Sequence, residues 1–271
     1  MIAFGNILPP FSIYSQLITS LNLFLKKMPM IKLTIEYDGT AYAGWQRQPK
    51  HPTIQAVLED ALFMITQQPT PVVGAGRTDS GVHAFGQVVS FQSDKTLADT
   101  QWASALNSYL PKDIAVISSE QVPDTFHARF SAKGKVYEYR IIQQATRPAL
   151  NRHRAWHYRY PLDIDAMREA MSYFVGTHDF TSFRGQRSQT INPVCTLTHL
   201  SLRHESPFLI IRIEGDRFLK QMVRAIVGTL VEVGQHKRHP SNMPDLFESK
   251  DRRTGGRTAP PHGLYLVKVL Y

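Results

Sequence analysis

The sequence of 271 residues predicts a protein of the α+β class. Segments whose apolar residues alternate, as in a strand, are interspersed with segments whose apolar residues recur every three to four positions, as in a helix. Strand, helix, strand, helix and strand follow one another over residues 28–125, and the rest of the chain has a similar texture. We therefore expect two similar α+β domains, residues 28–125 and 126–271, preceded by an atypical extension at residues 1–27.

The first domain begins with "IKLTIEYDGT", whose alternating apolar residues predict a strand that ends in an Asp-Gly turn. "TIQAVLEDALFMIT" predicts a helix that is stopped by Pro69. A loop within "GAGRTDSGVHA" (residues 74–84) then leads to a strand that we expect to begin at Gln87. A second helix is predicted from Trp102 to Leu110, and "DIAVISSEQV" predicts another strand.

The second domain begins with the alternating strand "KVYEYRII". "DIDAMREAMSYFVG" carries an apolar stripe at helical spacing and ends at Gly176, a typical C-terminal cap. A hairpin is expected over "TLTHLSLRHESPFLIIRIEG", with its turn between Glu205 and Pro207. "FLKQMVRAIVGTLVEVG" predicts a helix that is apolar on nearly all sides, with Arg224 conspicuous near its middle, and "GLYLVKVLY" predicts the last strand.

The extension at residues 1–27 differs from the rest of the chain. It is mostly apolar and has no charge before Lys26. A signal peptide carries its positive charge before the apolar run, and the Pro9-Pro10 pair would break a membrane-spanning helix. We therefore expect translation to start near Met28, and the alternative is a loosely ordered extension. No membrane partner is expected.

Charge indicates a polyanionic partner. Lys and Arg number 31 against 22 Asp and Glu, which gives a formal net charge of +9. Residues 147–159, with Tyr160, form a basic segment that contains no acid; its interleaved rings suit a surface that pairs with phosphates and stacks on bases. The alternative is an ordinary solvated basic face. The basic and aromatic residues of this segment are Arg147, Arg152, His153, Arg154, Trp156, His157, Tyr158, Arg159 and Tyr160.

A metal site is not expected. Cys195 is the single cysteine, which excludes an internal disulfide and any zinc site built from several cysteines. His153 and His157 stand four residues apart, but the segment "HRAWH" lacks the glutamate of a zinc-protease helix, and the surrounding arginines repel a cation.

The glycine-rich stretch "GAGRTDSGVHA" resembles a phosphate-binding loop only in its glycines. A dinucleotide loop requires glycine where Asp79 stands, and a P-loop requires lysine where Val82 stands. One alternative is an ordinary turn in which Asp79 bonds its own backbone. The other is a catalytic loop, because an aspartate is ionised at neutral pH and can act as base or nucleophile. A cation, either Arg77 or Arg224, would compensate its partial burial.

At this loop the sequence resembles the tRNA pseudouridine synthase A family, and the resemblance extends over residues 28–271. "GAGRTDSGVHA" is similar to the signature loop of that family. Further blocks occur in the family's order: "IEYDGTAYAGWQRQP", "TIQAVLEDAL", "ALNSYLPKDIAV", "FHARFSAKGKVYEYRI", "RPAL", "GTHDFTSFR", "FLKQMVRAIVGTLVEVG" and "APPHGLYLVKV".

The resemblance implies an isomerase that converts uridine to pseudouridine in the anticodon stem-loop of tRNA, at positions 38, 39 and 40, without cofactor or metal. It implies that Asp79 is the catalytic nucleophile or base, that Arg224 is its ion-pair partner, and that Arg77 helps to displace the nucleotide. Tyr137 would stack on the target base; an alternating strand alone would favour a core tyrosine at this position. Arg184 and Gln189 are further candidates for lining the RNA groove, although "GQRSQTINPVCTL" departs from the family pattern.

The same resemblance implies a fold of two similar α+β domains whose antiparallel sheets join into one, with helices on the outer faces and the active site in the cleft between the domains. It also implies a cytoplasmic homodimer that holds tRNA across both subunits. The alternative function is a non-catalytic tRNA-binding or chaperone protein on the same scaffold. A phosphate-binding NTPase is disfavoured by Asp79 and Val82.

Overall fold

A computed structural model of the chain describes residues 28–186 and 191–271. The expectations for residues 1–27 and for Gln189 therefore concern residues outside the described part. Within it, five α-helices accompany ten strands. The helices are α1 (Ile54–Thr66), α2 (Asp99–Asn107), α3 (Ile164–Ser172), α4 (Met222–Gly234) and α5 (Met243–Ser249). The strands are β1 (Met30–Tyr37), β2 (Val73–Gly74), β3 (His83–Gln92), β4 (Ile114–Val122), β5 (Gly134–Gln143), β6 (Trp156–Tyr158), β7 (Gly176–Asp179), β8 (Val194–Glu205), β9 (Phe208–Gly215) and β10 (Leu264–Leu270).

All described strands belong to one mixed sheet, in the order β4-β1-β3-β10-β5-β9-β8-β7, with β2 paired to β3 and β6 paired to β5. Neighbouring strands along this order are antiparallel except at the centre, where β10 runs parallel to β3. The predicted α+β class with a single extended sheet is confirmed. The junction differs from an antiparallel join, because the last strand of the chain lies between β3 of the first half and β5 of the second. The domain boundary near residue 125 stays a prediction.

Most element predictions are confirmed within a few residues. The alternation in β1 buries Ile31, Leu33, Ile35 and Tyr37, and the turn of the β8-β9 hairpin lies at Ser206-Pro207. β3 begins at His83 rather than at Gln87, so His83 and Ala84, the last two residues of the glycine-rich motif, belong to the sheet.

Helix α4 is also shorter than predicted. It begins at Met222 because Gln221 adopts a left-handed conformation with φ of 61°. Arg224 therefore lies in the first turn of α4 and not near its middle. The apolar residues of the helix are buried on nearly all sides, as its sequence predicts.

The helices of the described part do not include one that is both long and apolar enough to cross a lipid bilayer.

Candidate active site

The loop between β2 and β3, residues 75–82, is called here the Asp79 loop. Two buried side chains hold its first half. The amide of Gln87 donates to the Gly76 carbonyl at 2.8 Å, and the hydroxyl groups of Tyr37 and Thr78 lie 2.8 Å apart. Gln87 is fully buried and Tyr37 is 4% exposed. These bonds fix the backbone on both sides of Arg77.

The segment after β1 holds the second half of the loop. The Tyr42 carbonyl accepts from the Ser80 hydroxyl at 3.1 Å and from the Gly81 N–H at 3.3 Å. The Trp45 N–H donates to the Thr78 carbonyl at 3.1 Å. Asp79 is therefore held between two anchored neighbours, which limits how far its backbone can move.

Two glycines are required by this close packing. Gly44 has φ of 96°, and a Cβ at this position would lie 2.6 Å from the Thr78 carbonyl oxygen. Gly81 has φ of 76°. Both conformations favour glycine over residues that carry a side chain. Gly76 has no such requirement, since a Cβ there would meet only the far end of the Lys135 side chain.

Asp79 forms an ion pair with Arg224. Arg224 Nη1 donates to Asp79 Oδ2 at 2.8 Å, although the two residues are 145 positions apart. The side chain of Asp79 is 28% exposed and that of Arg224 is 12% exposed. Asp79 Oδ1 has no hydrogen-bond partner among the described residues. One carboxylate oxygen is thus held by the arginine, and the other stays available to a bound nucleotide.

The segment before β10 orients Arg224. Arg224 Nε donates to the Ala259 carbonyl at 2.8 Å, and the Ala259 N–H donates back to the Arg224 carbonyl at 3.0 Å. The hydroxyl of the fully buried Tyr139 donates to the Pro260 carbonyl at 2.7 Å. Because a guanidinium has a rigid planar geometry, the bond at Nε also directs Nη1 toward the carboxylate.

Tyr137 lies on β5, on the same sheet face as Tyr139. It is only 7% exposed, and the Phe218 ring packs edge-on against it with centroids 4.9 Å apart. Burial raises the pKa of Tyr137, and the neighbouring Tyr37 and Asp79 raise it further. The Tyr137 phenol is therefore neutral and lies near the Asp79 carboxylate. Its ring presents only a small area to a ligand.

The other predicted site residues have no described contact with Asp79. Arg77 is exposed, and its side chain makes no ion pair or hydrogen bond with other described residues. Arg184 ends a short 3-10 turn, and the next residue, Gly185, donates to the Lys220 carbonyl at 2.7 Å. This bond brings the segment beside the start of α4. Gln189 lies outside the described residues.

His83, the last polar residue of the motif, is buried and connects three segments. Its Nδ1 accepts from the Gly39 N–H at 3.1 Å, and Nε2 lies 2.9 Å from the His153 carbonyl and 3.2 Å from the His262 carbonyl. This network assigns the proton to Nε2. Burial lowers the pKa of His83, against the attraction of Asp38. A neutral His83 therefore ties the motif to the basic segment and to the segment before β10.

The basic segment is only partly available to a ligand. Trp156 and Tyr158 lie in β6 and are 7% and 6% exposed, so the expectation that they stack on unpaired bases is wrong for both. They alternate with His157 and pack their rings into the core. Tyr160 is 60% exposed and, unlike the other two rings, remains able to stack. Among the described residues, no group of three or more His, Cys, Asp or Glu is arranged to hold a metal ion.

Several residues that shape the site had no functional signal in the sequence. Tyr37 follows the alternating pattern of β1 and resembles any core tyrosine. Ala259 acts through its backbone groups, which carry no mark in the sequence. Gln87 is a buried polar residue inside a strand, and this unusual position is the one signal that could have indicated its role.

The site thus presents a half-exposed carboxylate oriented by an arginine, next to a buried neutral tyrosine. Such a carboxylate can attack a carbon or accept a proton. The exposed Arg77 lies two residues before Asp79 in the same loop.

The family model for tRNA pseudouridine synthase matches residues 33–131 and 170–271, which include Asp79 and Arg224 but not Tyr137 or the basic segment. The curated tRNA pseudouridine synthase A of Acetivibrio thermocellus is 46% identical over 90% of this chain and 100% of its own length. The tRNA pseudouridine synthase A 2 of Clostridium perfringens is 43% identical with the same coverage. The tRNA pseudouridine synthase A of Bacillus pumilus is 43% identical over 89% of this chain and 98% of its own length. With matches of this extent, the chain belongs to the tRNA pseudouridine synthase family.

Proposed function

We propose that this chain isomerises uridine to pseudouridine in the anticodon stem-loop of tRNA, at positions 38, 39 and 40. The ion pair of Asp79 with Arg224 is the observation that carries the proposal, because it gives a member of this family an oriented carboxylate beside Tyr137. The names of the curated relatives, tRNA pseudouridine synthase A, support tRNA as the substrate.

The reaction is an isomerisation and needs no oxidant or reductant. The bond from N1 of the base to C1′ of the ribose breaks, and a bond from C5 to C1′ forms. The proton on C5 is released and N1 gains a proton, so the product has the same atoms as the substrate. A carboxylate that acts as a nucleophile or accepts a proton is sufficient for these bond changes.

Asp79 would act through Oδ1, the oxygen that Arg224 leaves free. Two roles fit this geometry: attack on the substrate to give a covalent intermediate, or removal of a ribose proton to give a glycal intermediate. In both roles, Arg224 keeps the carboxylate aimed by binding Oδ2 at 2.8 Å.

A uridine inside a stem-loop must leave the base stack before Asp79 can reach its ribose. We assign contact with the extruded base to Tyr137, and its place near Asp79 supports this role. Arg77 is exposed and unpaired among the described residues, which suits it to enter the space that the nucleotide vacates. We assign lining of the RNA groove to Arg184 and Gln189.

The test is the variant Asp79→Asn with an anticodon stem-loop RNA that carries tritium at uracil C5. We expect no tritium release and no pseudouridine, with RNA affinity within about tenfold of wild type, which is about 1.4 kcal/mol. Asp60→Asn is the matched control, since Asp60 is an exposed carboxylate that is also paired with an arginine, Arg47. It should keep wild-type turnover.

Retained turnover in Asp79→Asn would contradict the assignment of Asp79. If the wild-type chain binds tRNA with a steep salt dependence but releases no tritium, it is a non-catalytic tRNA-binding or chaperone protein. Mapping pseudouridine in tRNA from a deletion strain would check the three positions.

We also propose that the chain works as a homodimer in the cytoplasm, the state that the family resemblance implies. A single active-site loop faces one flipped nucleotide, and a second subunit would provide additional basic surface for the rest of the tRNA. Light scattering of the purified chain should give the mass of two copies, and the mass of one copy would refute the dimer.

A further inference from the structure

Lys135 is a half-buried cation beside the Asp79 loop that takes no part in the proposed reaction. It stands on β5 two residues before Tyr137, so both side chains lie on the same face of the sheet. Its side chain runs along the loop at Gly76, where a Cβ would lie 3.0 Å from Lys135 Cε and 4.0 Å from Nζ. The ammonium group is therefore held at the edge of the candidate active site.

This ammonium group lacks an anionic partner among the described residues. Lys135 forms no ion pair and no side-chain hydrogen bond there. The acid that attracts it is Asp216, and that carboxylate is already used by backbone donors. Asp216 Oδ1 accepts from the N–H groups of Thr196 at 2.9 Å and Arg217 at 2.6 Å.

The surroundings of Lys135 disfavour its charge. Burial lowers the pKa of Lys135, and the nearby Arg129 lowers it further. Arg77, which follows Gly76 in the same loop, is exposed. A half-buried charge without a direct anionic contact is costly, and an incoming anion would offset that cost. The arrangement is thus prepared for a negatively charged ligand group.

The substrate class supplies such a group. Every nucleotide of an RNA chain carries a phosphodiester, and a nucleotide that enters the site brings its own phosphates with it. Asp79 and Tyr137 already account for the ribose and base, whereas the compact ammonium of a lysine suits a phosphate oxygen. We propose that Lys135 binds a nonbridging oxygen of a phosphodiester that flanks the flipped-out uridine. This inference rests on the proposed function.

The experiment combines Lys135→Met with anticodon stem-loop RNAs in which one phosphate at a time, on either side of the target uridine, is replaced by an uncharged methylphosphonate. We expect one replacement to weaken wild-type binding about tenfold. Lys135→Met should weaken binding of unmodified RNA by a similar factor and be nearly insensitive to that replacement. The slope of log affinity against log salt should fall by about 0.7 to 0.9, the value for one phosphate contact.

Two further variants make the result specific. Lys135→Arg should keep most of the affinity, because it keeps the charge. Lys95→Met removes the same charge from an exposed loop after β3 and should leave binding, and its sensitivity to each methylphosphonate, unchanged. The single-turnover rate of Lys135→Met at saturating RNA should stay within about threefold of wild type, since a phosphate contact made equally in ground and transition states does not change that rate.

The proposal is overturned if no flanking methylphosphonate weakens wild-type binding, a measurement that does not depend on the folding of any variant. It is also overturned if Lys135→Met keeps the full sensitivity to the replacement. A third contrary result is a lower single-turnover rate with unchanged affinity, which would place the ammonium on the base. Failure of the proposed function would instead appear as a wild-type chain that makes no pseudouridine.

Discussion

The Asp79 loop and the basic segment are both rich in groups that could meet RNA, but they hold these groups in opposite ways. In the Asp79 loop, Thr78 is buried and bonded to its surroundings, whereas Arg77 is exposed and Asp79 keeps one oxygen free. In the basic segment, Trp156 and Tyr158 are buried. The arginines of the basic segment are exposed to solvent.

The difference shows that a binding surface depends on backbone periodicity as well as on residue type. A loop without regular structure can expose successive side chains, because its backbone groups are bonded individually. A strand buries every second side chain when one of its faces meets the core. The buried face of β6 carries Trp156 and Tyr158, so their rings stabilise the fold.

The largest predicted effect tests whether the Trp156 ring stabilises the fold or stacks on bases. Trp156→Ala should lower the free energy of unfolding by about 3–5 kcal/mol, because Trp156 packs edge-on against Tyr139 and carries the Arg257 guanidinium 4.6 Å from its ring. Denaturant unfolding measures this loss. Tyr160→Ala, at an exposed ring, is the control and should change stability by less than about 0.5 kcal/mol. If Trp156→Ala weakened RNA binding at unchanged stability, the base-stacking interpretation would return.

The next effect concerns the orientation of the carboxylate. Arg224→Lys keeps a positive charge but loses the bond from Nε to Ala259 that directs the group toward Asp79. We expect the single-turnover rate to fall about a hundredfold, which is roughly 2.7 kcal/mol of transition-state stabilisation. Arg238→Lys is the matched control, since Arg238 is also a partly buried arginine in an ion pair, with Glu232. A wild-type rate in Arg224→Lys would show that charge alone is sufficient.

A third effect tests the backbone of the Asp79 loop. Gly44→Ala should lower the free energy of unfolding by about 1–3 kcal/mol and reduce activity, because the new Cβ would lie 2.6 Å from the Thr78 carbonyl oxygen at a φ of 96°. Gly76→Ala, within the motif itself, should be tolerated better because the flexible end of Lys135 can move aside. Thermal unfolding compares the two variants. Equal losses would mean that Gly44 and Gly76 have the same backbone requirement.

Much of the fold was predictable from local patterns. Alternation identified β1 and β5, and helical spacing identified α1 and α3, because each pattern follows from burying one face of a regular element. The parallel pairing of β10 with β3 was not predictable in this way. It joins residues 83 and 265, and no local pattern encodes which edge the last strand meets.

In the candidate site, the charged residues were predictable from the sequence, but the groups that support them were not. Residue type and the family resemblance pointed to Asp79 and Arg224, and the resemblance implied their pairing. The supports were not predictable, because Ala259 and Tyr42 act through backbone carbonyls that any residue has. The burial of Trp156 follows from the alternation in "WHY", which places Trp156 and Tyr158 on one face of a strand.

The smallest predicted effect concerns the arginines of the basic segment. Arg147 and Arg152 are exposed and form no ion pair among the described residues, so they are free to contact phosphates. The double variant Arg147→Ala, Arg152→Ala should weaken tRNA binding about tenfold at low salt and leave the single-turnover rate at saturating tRNA unchanged. Filter binding over a salt series measures the first quantity and rapid quench the second. If the rate fell and the affinity did not, the basic segment would act on the chemical step, and its separation from the Asp79 loop would not hold.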